Sequence, residues 1–312
     1  MRELLAPMEP GCSAAVAVDG RVEWARAFGL ADVAAQKPLT TDSRFDFASV
    51  SKQFTATAIM LLVGDGVMSL SDPVSRWQPS IPLWAERITV GDLLHHMSGI
   101  PDYTHILIEQ GRHLDDMTTQ ADAMSAIKAA NASPLRGNFE YSNSNYILLA
   151  EIVHEASGLS LAEFLEARVF NGSGLTLDPV RQDTVTGYAE GAPITSHWQQ
   201  VGDGAVVGTP SELAEWADYY RIGLPEFPEL PLFATAEAVD TGSADASAYG
   251  AGILVGADGT LSHIGSWAGV VTLFGVTADR HTSIVVSCND SDAPANELAQ
   301  SLRTIWQEGS TP

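Results

Sequence analysis

What most constrains the fold is the placement of strand-forming sequence at the two ends of the 312-residue chain, with helix-forming sequence between. Residues 13–29 run Ser-Ala-Ala-Val-Ala-Val-Asp-Gly-Arg-Val-Glu-Trp-Ala-Arg-Ala-Phe-Gly. The Asp19-Gly20 pair between two β-prone runs predicts a tight hairpin. The same grammar returns near the other end, where Tyr249–Val255, Leu261–Ile264, Gly269–Val276 and His281–Cys288 are strand-like. Ala257-Asp258-Gly259 and Ala278-Asp279-Arg280 punctuate them as turns. In between, Ser51–Val63, Val90–His96, Ala121–Ala130, Asn145–Ala156, Leu161–Val169 and Ser211–Tyr220 read as helices, and Ala295–Trp306 carries Leu298, Leu302 and Ile305 at helical spacing. The pattern implies an α+β fold: an antiparallel β-sheet built from both chain ends and flanked by helices, with a mostly helical second lobe. The expected organisation is a single domain over 1–312, with an α/β lobe at about 1–68 and 205–312 and a helical lobe at about 69–204.

Charge narrows the function classes. Sixteen basic residues against 39 acidic ones give a formal charge of −23. Such a surface repels phosphate backbones and anionic lipid, so neither nucleic acid nor membrane is an expected partner. No apolar run long enough for a transmembrane helix occurs. Met1–Pro7 lacks the apolar core of a signal peptide, so a cytoplasmic location is expected. Cys12 and Cys288 are the only cysteines; they show no metal-ligand spacing, and whether they form a bridge stays open. The adjacent His95-His96 has no third ligand at a metal-binding spacing, and neither metal nor cofactor is expected.

The chemistry-bearing segment is Phe47-Ala48-Ser49-Val50-Ser51-Lys52. A serine hydroxyl is a poor nucleophile until a base takes its proton. Residues three apart share a helix face, so the Lys52 amine can reach the Ser49 hydroxyl. Burial favours the neutral, basic form of an amine, and a helix start supplies unpaired N–H groups for an oxyanion. Spacing alone is weak evidence, because Ser125-Ala126-Ile127-Lys128 repeats it within a helix that has no companion motif.

Companions exist for the first pair. Tyr141-Ser142-Asn143 and His263-Ile264-Gly265-Ser266 follow it in order, with Gly66–Val74, Ile88–Ile100 and Gly202-Asp203-Gly204-Ala205 as further matching text. Together they resemble the serine β-lactamase and penicillin-binding superfamily, in its class C, DD-peptidase and esterase branch, over roughly residues 10–308. The resemblance implies a β-lactamase/transpeptidase-like fold and an acyl-enzyme on Ser49, with Lys52 taking or relaying the proton and Tyr141 passing it to the leaving group. It implies that Asn143 orients substrate and holds Lys52, that His263 and Gly265 flank the cleft on a strand edge, and that the N–H groups of Ser49 and Ser266 bind the oxyanion. His96 matches a family histidine with a structural role. The third motif departs from the lactamase Lys-Thr-Gly: His263 replaces the lysine and Ile264 removes a hydroxyl. The expected substrate is therefore a small molecule or peptide with an ester, amide or D-configured peptide bond rather than a β-lactam. Acyl transfer through the same intermediate, weak β-lactamase activity and a catalytically silent binding protein are the alternatives. The sequence is silent on oligomeric state.

Overall fold

The computed structural model describes residues 8–130, 137–243 and 248–308. The reading of Met1–Pro7 therefore falls outside the described residues. The hairpin forms as expected: β1 (Cys12–Val18) and β2 (Arg21–Phe28) pair antiparallel. Asp19 and Gly20 turn between them with φ of +50° and +75°, the conformation that favours an Asp-Gly turn in a twisted hairpin.

At the far end of the chain lie β3 (Val239–Asp240), β4 (Ala248–Tyr249), β5 (Leu254–Val255), β6 (Leu261–Trp267), β7 (Val270–Val276) and β8 (Thr282–Cys288). The eight strands form one antiparallel sheet in the order β3-β4-β5-β6-β7-β8-β1-β2. The ends of the chain meet where β1 pairs with β8, from Cys12 opposite Cys288 to Val18 opposite Thr282. Two expectations differ in detail. The run Tyr249–Val255 holds two short strands, β4 and β5, and β6 extends to Trp267 rather than stopping at Ile264.

Alternation along β1 explains its composition. Ala15 and Ala17 face the main core, whereas Cys12, Ala14 and Val16 face a smaller core under α4 (Ala295–Glu308), closed by Leu298 and Leu302. A strand buried on both faces carries no polar stripe, and its alanines leave room for the helix Pro210–Trp216, whose Ala214 carbonyl accepts the Ser283 hydroxyl at 2.8 Å. Cys12 and Cys288 form a disulfide between the paired strands, with Cα atoms 4.0 Å apart.

Between the strand groups the chain is chiefly helical. The helix α1 (Lys52–Gly64) is buried from Lys52 to Leu62 and makes the centre of the core; a 3₁₀ turn, Ala48–Ser51, precedes it. Beyond it stand α2 (Tyr103–Glu109), absent from the sequence expectation, and α3 (Asn143–Ser157). The segments expected as one helix at 161–169 and at 211–220 are each broken, the first by a wide turn at Glu166–Phe170 and the second between Trp216 and Tyr219.

Candidate active site

The site forms where α1, α3 and the edge of β6 converge. Asp46 accepts the Ala48 N–H on Oδ1 at 2.8 Å, and Ala48 has φ +47°, a left-handed conformation that an alanine seldom adopts. The kink delivers Ser49 half-buried at the head of the 3₁₀ turn. The second oxygen of Asp46 takes the Arg181 Nε–H, and Arg181 also donates through Nη1 to the carbonyls of Pro179 (2.8 Å) and Trp198 (2.7 Å). One buried ion pair thus ties the turn before Ser49 to the 178–200 segment.

Lys52 is fully buried, and Nζ has three oxygen partners: Ser49 Oγ at 3.0 Å, Asn143 Oδ1 at 2.8 Å and the Asp203 carbonyl at 2.8 Å. Asn143 presents its oxygen to the lysine because Asp102 holds its other face. Asp102 Oδ2 accepts both the Asn143 backbone N–H and the Nδ2–H at 2.9 Å, while Oδ1 accepts the Thr104 N–H and hydroxyl and caps α2. A carboxylate can only accept, so both Asn143 donors turn toward it.

Tyr141 stands beside this centre, with Lys52 Nζ 5.1 Å from its ring centroid. Its ring lies 4.2 Å from that of His96. His96 is buried; its Nδ1 meets the Ser142 N–H (3.2 Å) and Asn145 Nδ2 (2.9 Å), so the proton sits on Nε2, which has no hydrogen-bond partner among the described residues. Burial, and then the nearby Lys52 charge, hold this imidazole well below its ordinary pKa.

Gly265 sets the distance between strand and nucleophile. A Cβ there would lie 2.1 Å from the Phe47 carbonyl oxygen and 3.0 Å from the Ser49 nitrogen, so only glycine lets β6 approach this closely. The side chain of His263, two residues earlier, turns inward, its ring 6.5 Å from that of Tyr141. It is 4% exposed, and its Nδ1–H donates to the Ile264 carbonyl at 2.9 Å while Nε2 faces the Tyr249 hydroxyl at 3.3 Å. Burial, followed by the Lys52 charge, lowers its pKa to about 3, leaving a neutral ring where the lactamase motif has an ammonium. Ile264 points to the opposite face of the sheet and is half exposed.

A small pocket opens beside Ser49. Asn143, Ser266, Trp267, Trp198, Tyr103 and Asp203 line it, with Arg181 at its wall; neither Tyr141 nor His263 does. Of the residues singled out from sequence, Ser49, Lys52, Tyr141, Asn143, Gly265 and Ser266 gather in this region. The decoy Ser125 instead bonds the Ala121 carbonyl on an exposed helix face. Sequence reasoning missed Asp102, Asp203 and the Asp46–Arg181 pair. Asp102 carried a readable sign, an N-cap aspartate after a proline; Arg181 carried none.

The beta-lactamase family model matches residues 2–304. Penicillin-binding protein 4* of Bacillus subtilis is 35% identical over 162 residues, covering 50% of this chain and 35% of that protein. A D-aminopeptidase of Brucella anthropi is 28% identical over 261 residues, covering 78% of this chain and 48% of the relative. The chain thus spans between a third and a half of the length of these curated relatives. Among solved structures, the octameric penicillin-binding protein homologue from Pyrococcus abyssi superposes with a TM-score of 0.83 at 26% identity, over 96% of this chain and 74% of that one. The D-amino acid amidase from Ochrobactrum anthropi SV3 reaches 0.80 at 23% identity, over 97% and 95%, a likeness of fold. With its family match running from residue 2 to residue 304, this chain belongs to the beta-lactamase family.

Proposed function

We propose that the chain is a serine hydrolase that forms an acyl-enzyme on Ser49 and cleaves an ester, amide or D-amino-acid peptide bond. The observation that carries this is the buried Lys52 amine 3.0 Å from Ser49 Oγ, its remaining contacts made by oxygen atoms. In this reading Ser49 Oγ attacks the carbonyl carbon while Lys52 takes its proton. The oxyanion is met by the N–H groups of Ser49 and Ser266. Tyr141, against Lys52, gives its proton to the leaving group and is reprotonated by Lys52, so the serine proton ends on the leaving group. Water then attacks the acyl carbon, breaks the ester to Ser49 Oγ and returns the serine hydroxyl. The names of the relatives support an amide or peptide substrate with a D-configured centre. A neutral, buried His263 supports poor retention of a β-lactam carboxylate. No helix among the described residues is long and apolar enough to cross a membrane, and the Cys12–Cys288 bridge supports an oxidising compartment rather than the cytoplasm expected from sequence.

The test is covalent labelling. A fluorophosphonate probe should modify the protein at Ser49, with the adduct located by peptide mass spectrometry, and Ser49→Ala should abolish it. Undiminished labelling of that variant would remove the assignment.

A further inference from the structure

The turn that carries Ser49 is held at its two ends by Val206 and in its middle by a side chain. The Phe47 N–H donates to the Val206 carbonyl at 2.9 Å, and Ser51 Oγ accepts the Val206 N–H at 3.0 Å. Between them the Ala48 N–H donates to Asp46 Oδ1 at 2.8 Å. The middle is where the turn is strained. Ala48 is buried at φ +47°, and a left-handed alanine is disfavoured about 5- to 30-fold against the right-handed form. The sign of φ at Ala48 sets the plane of the next peptide, whose N–H belongs to Ser49. With Phe47 fixed, a return to negative φ would rotate that N–H away from its place beside Gly265.

Asp46 can hold Ala48 only if its own carboxylate is held. It is buried, and a carboxylate at that depth is costly without a partner. Arg181 supplies the counter-charge: its Nε–H donates to Asp46 Oδ2, which leaves Oδ1 for Ala48. Asp203 also bears on this guanidinium, but its one ion pair among the described residues is with Asp46. The guanidinium is fixed from behind by the Pro179 and Trp198 carbonyls, and the Arg181 carbonyl accepts the Thr184 hydroxyl at 2.9 Å. A chain of contacts therefore runs from the 178–200 segment through Arg181 and Asp46 to the strained residue before the nucleophile.

We infer that Arg181 is a positioning residue for the oxyanion site: through Asp46 it keeps Ala48 left-handed and so aims the Ser49 N–H at the oxygen of the reacting carbonyl. This rests on the Ser49 acyl-enzyme reading. In this role Arg181 acts through two other residues and touches no reacting atom, although it lines the pocket beside Ser49. Glycine adopts positive φ without the penalty that alanine carries. Ala48→Gly therefore removes the need for the clamp.

The experiment is a double-mutant cycle on the second-order rate of fluorophosphonate labelling at Ser49, at a temperature where all four proteins are folded. Arg181→Gln should slow labelling by about 5- to 30-fold while Ala48 is present. In the Ala48→Gly background the same substitution should cost about twofold or less, the ordinary tolerance of additivity. Equal losses in both backgrounds would overturn the inference, because a guanidinium that touched the probe or merely supported the fold would cost the same in each. No loss in either background would overturn it too. Should Arg181→Gln not fold, with Asp46 left buried and unpaired, Asp46→Asn/Arg181→Gln removes both charges together. The cycle is then run with that pair, and equal losses again refute the clamp. A wild type labelled at Ser49 whose cycle shows no coupling refutes the clamp alone. A wild type left unlabelled at Ser49 refutes the acyl-enzyme reading, and the inference with it.

Discussion

Gly265→Ala probes the spacing between β6 and the nucleophile directly. The backbone at 265 lies outside the left-handed region, so the constraint is one of space alone. The added methyl would sit 2.1 Å from the Phe47 carbonyl oxygen and 3.0 Å from the Ser49 nitrogen. A carbon and an oxygen resist approach closer than about 3 Å, so the strand and the turn carrying Ser49 must part by roughly 1 Å. Overpacking of this kind costs about 1–3 kcal/mol, a few degrees in melting temperature for a chain of this size. The same displacement separates Ser49 and its N–H from β6, and a shift of about 1 Å at a reacting group can cost about 100-fold in rate. The assay is the second-order rate of fluorophosphonate labelling at a temperature where both proteins are folded, with thermal melting alongside. Gly64→Ala is the companion: its methyl would meet the Phe227 ring at 3.4 Å, an ordinary contact, and its labelling rate should match the wild type. A Gly265→Ala protein that labels within about threefold of wild type, against the roughly 100-fold expected, and melts unchanged would refute this account of the oxyanion site.

Two further outcomes follow from the structure. Reducing the Cys12–Cys288 bridge, or replacing both cysteines by alanine, should lower stability by about 2–4 kcal/mol and leave labelling at Ser49 near wild type, since the bridge packs under α4 on the other face of the sheet; a melting temperature indifferent to reductant would count against a structural bridge. His263 stays neutral down to about pH 3 in the fold but takes a proton near 6.5 when unfolded. The unfolded state therefore binds more protons below about pH 6.5, and stability should fall with decreasing pH at up to about 1.4 kcal/mol per pH unit from this residue. Denaturant midpoints for His263→Gln should decline less steeply between neutral pH and about pH 5, and parallel curves for the two proteins would contradict the buried neutral imidazole.

The sheet was legible because its strands announce themselves locally. Asp19-Gly20 demands positive φ at both positions, and only a hairpin turn uses that between β-prone runs. The split of Tyr249–Val255 into two strands was not legible, since a short apolar run does not reveal a tight reversal at Gly250–Gly252. In the site, the spacing of Ser49 and Lys52 suggested a pair that the structure does place in contact, whereas Tyr141 and Asn143 were reached only through the family resemblance. The inward turn of His263 was not, because it depends on Tyr249 arriving from a neighbouring strand to meet its ring. Asp46 and Arg181 are 135 residues apart, and no periodic pattern links them. Contacts of that kind are set by tertiary closure, which a linear pattern does not encode.

The pairing of β1 with β8 has a consequence for how the molecule is made. Val18 and Thr282 are register partners, so a nascent chain holds the β1–β2 hairpin with one edge open until almost the whole sequence has emerged. At about 5–20 residues per second that wait lasts roughly 10–50 s. So non-local a closure also places folding toward the slow end of the range for domains. During the wait, an apolar strand destined for burial on both faces has its backbone edge available to other chains, so yield on expression should depend on temperature and chaperone supply well before catalysis is at issue.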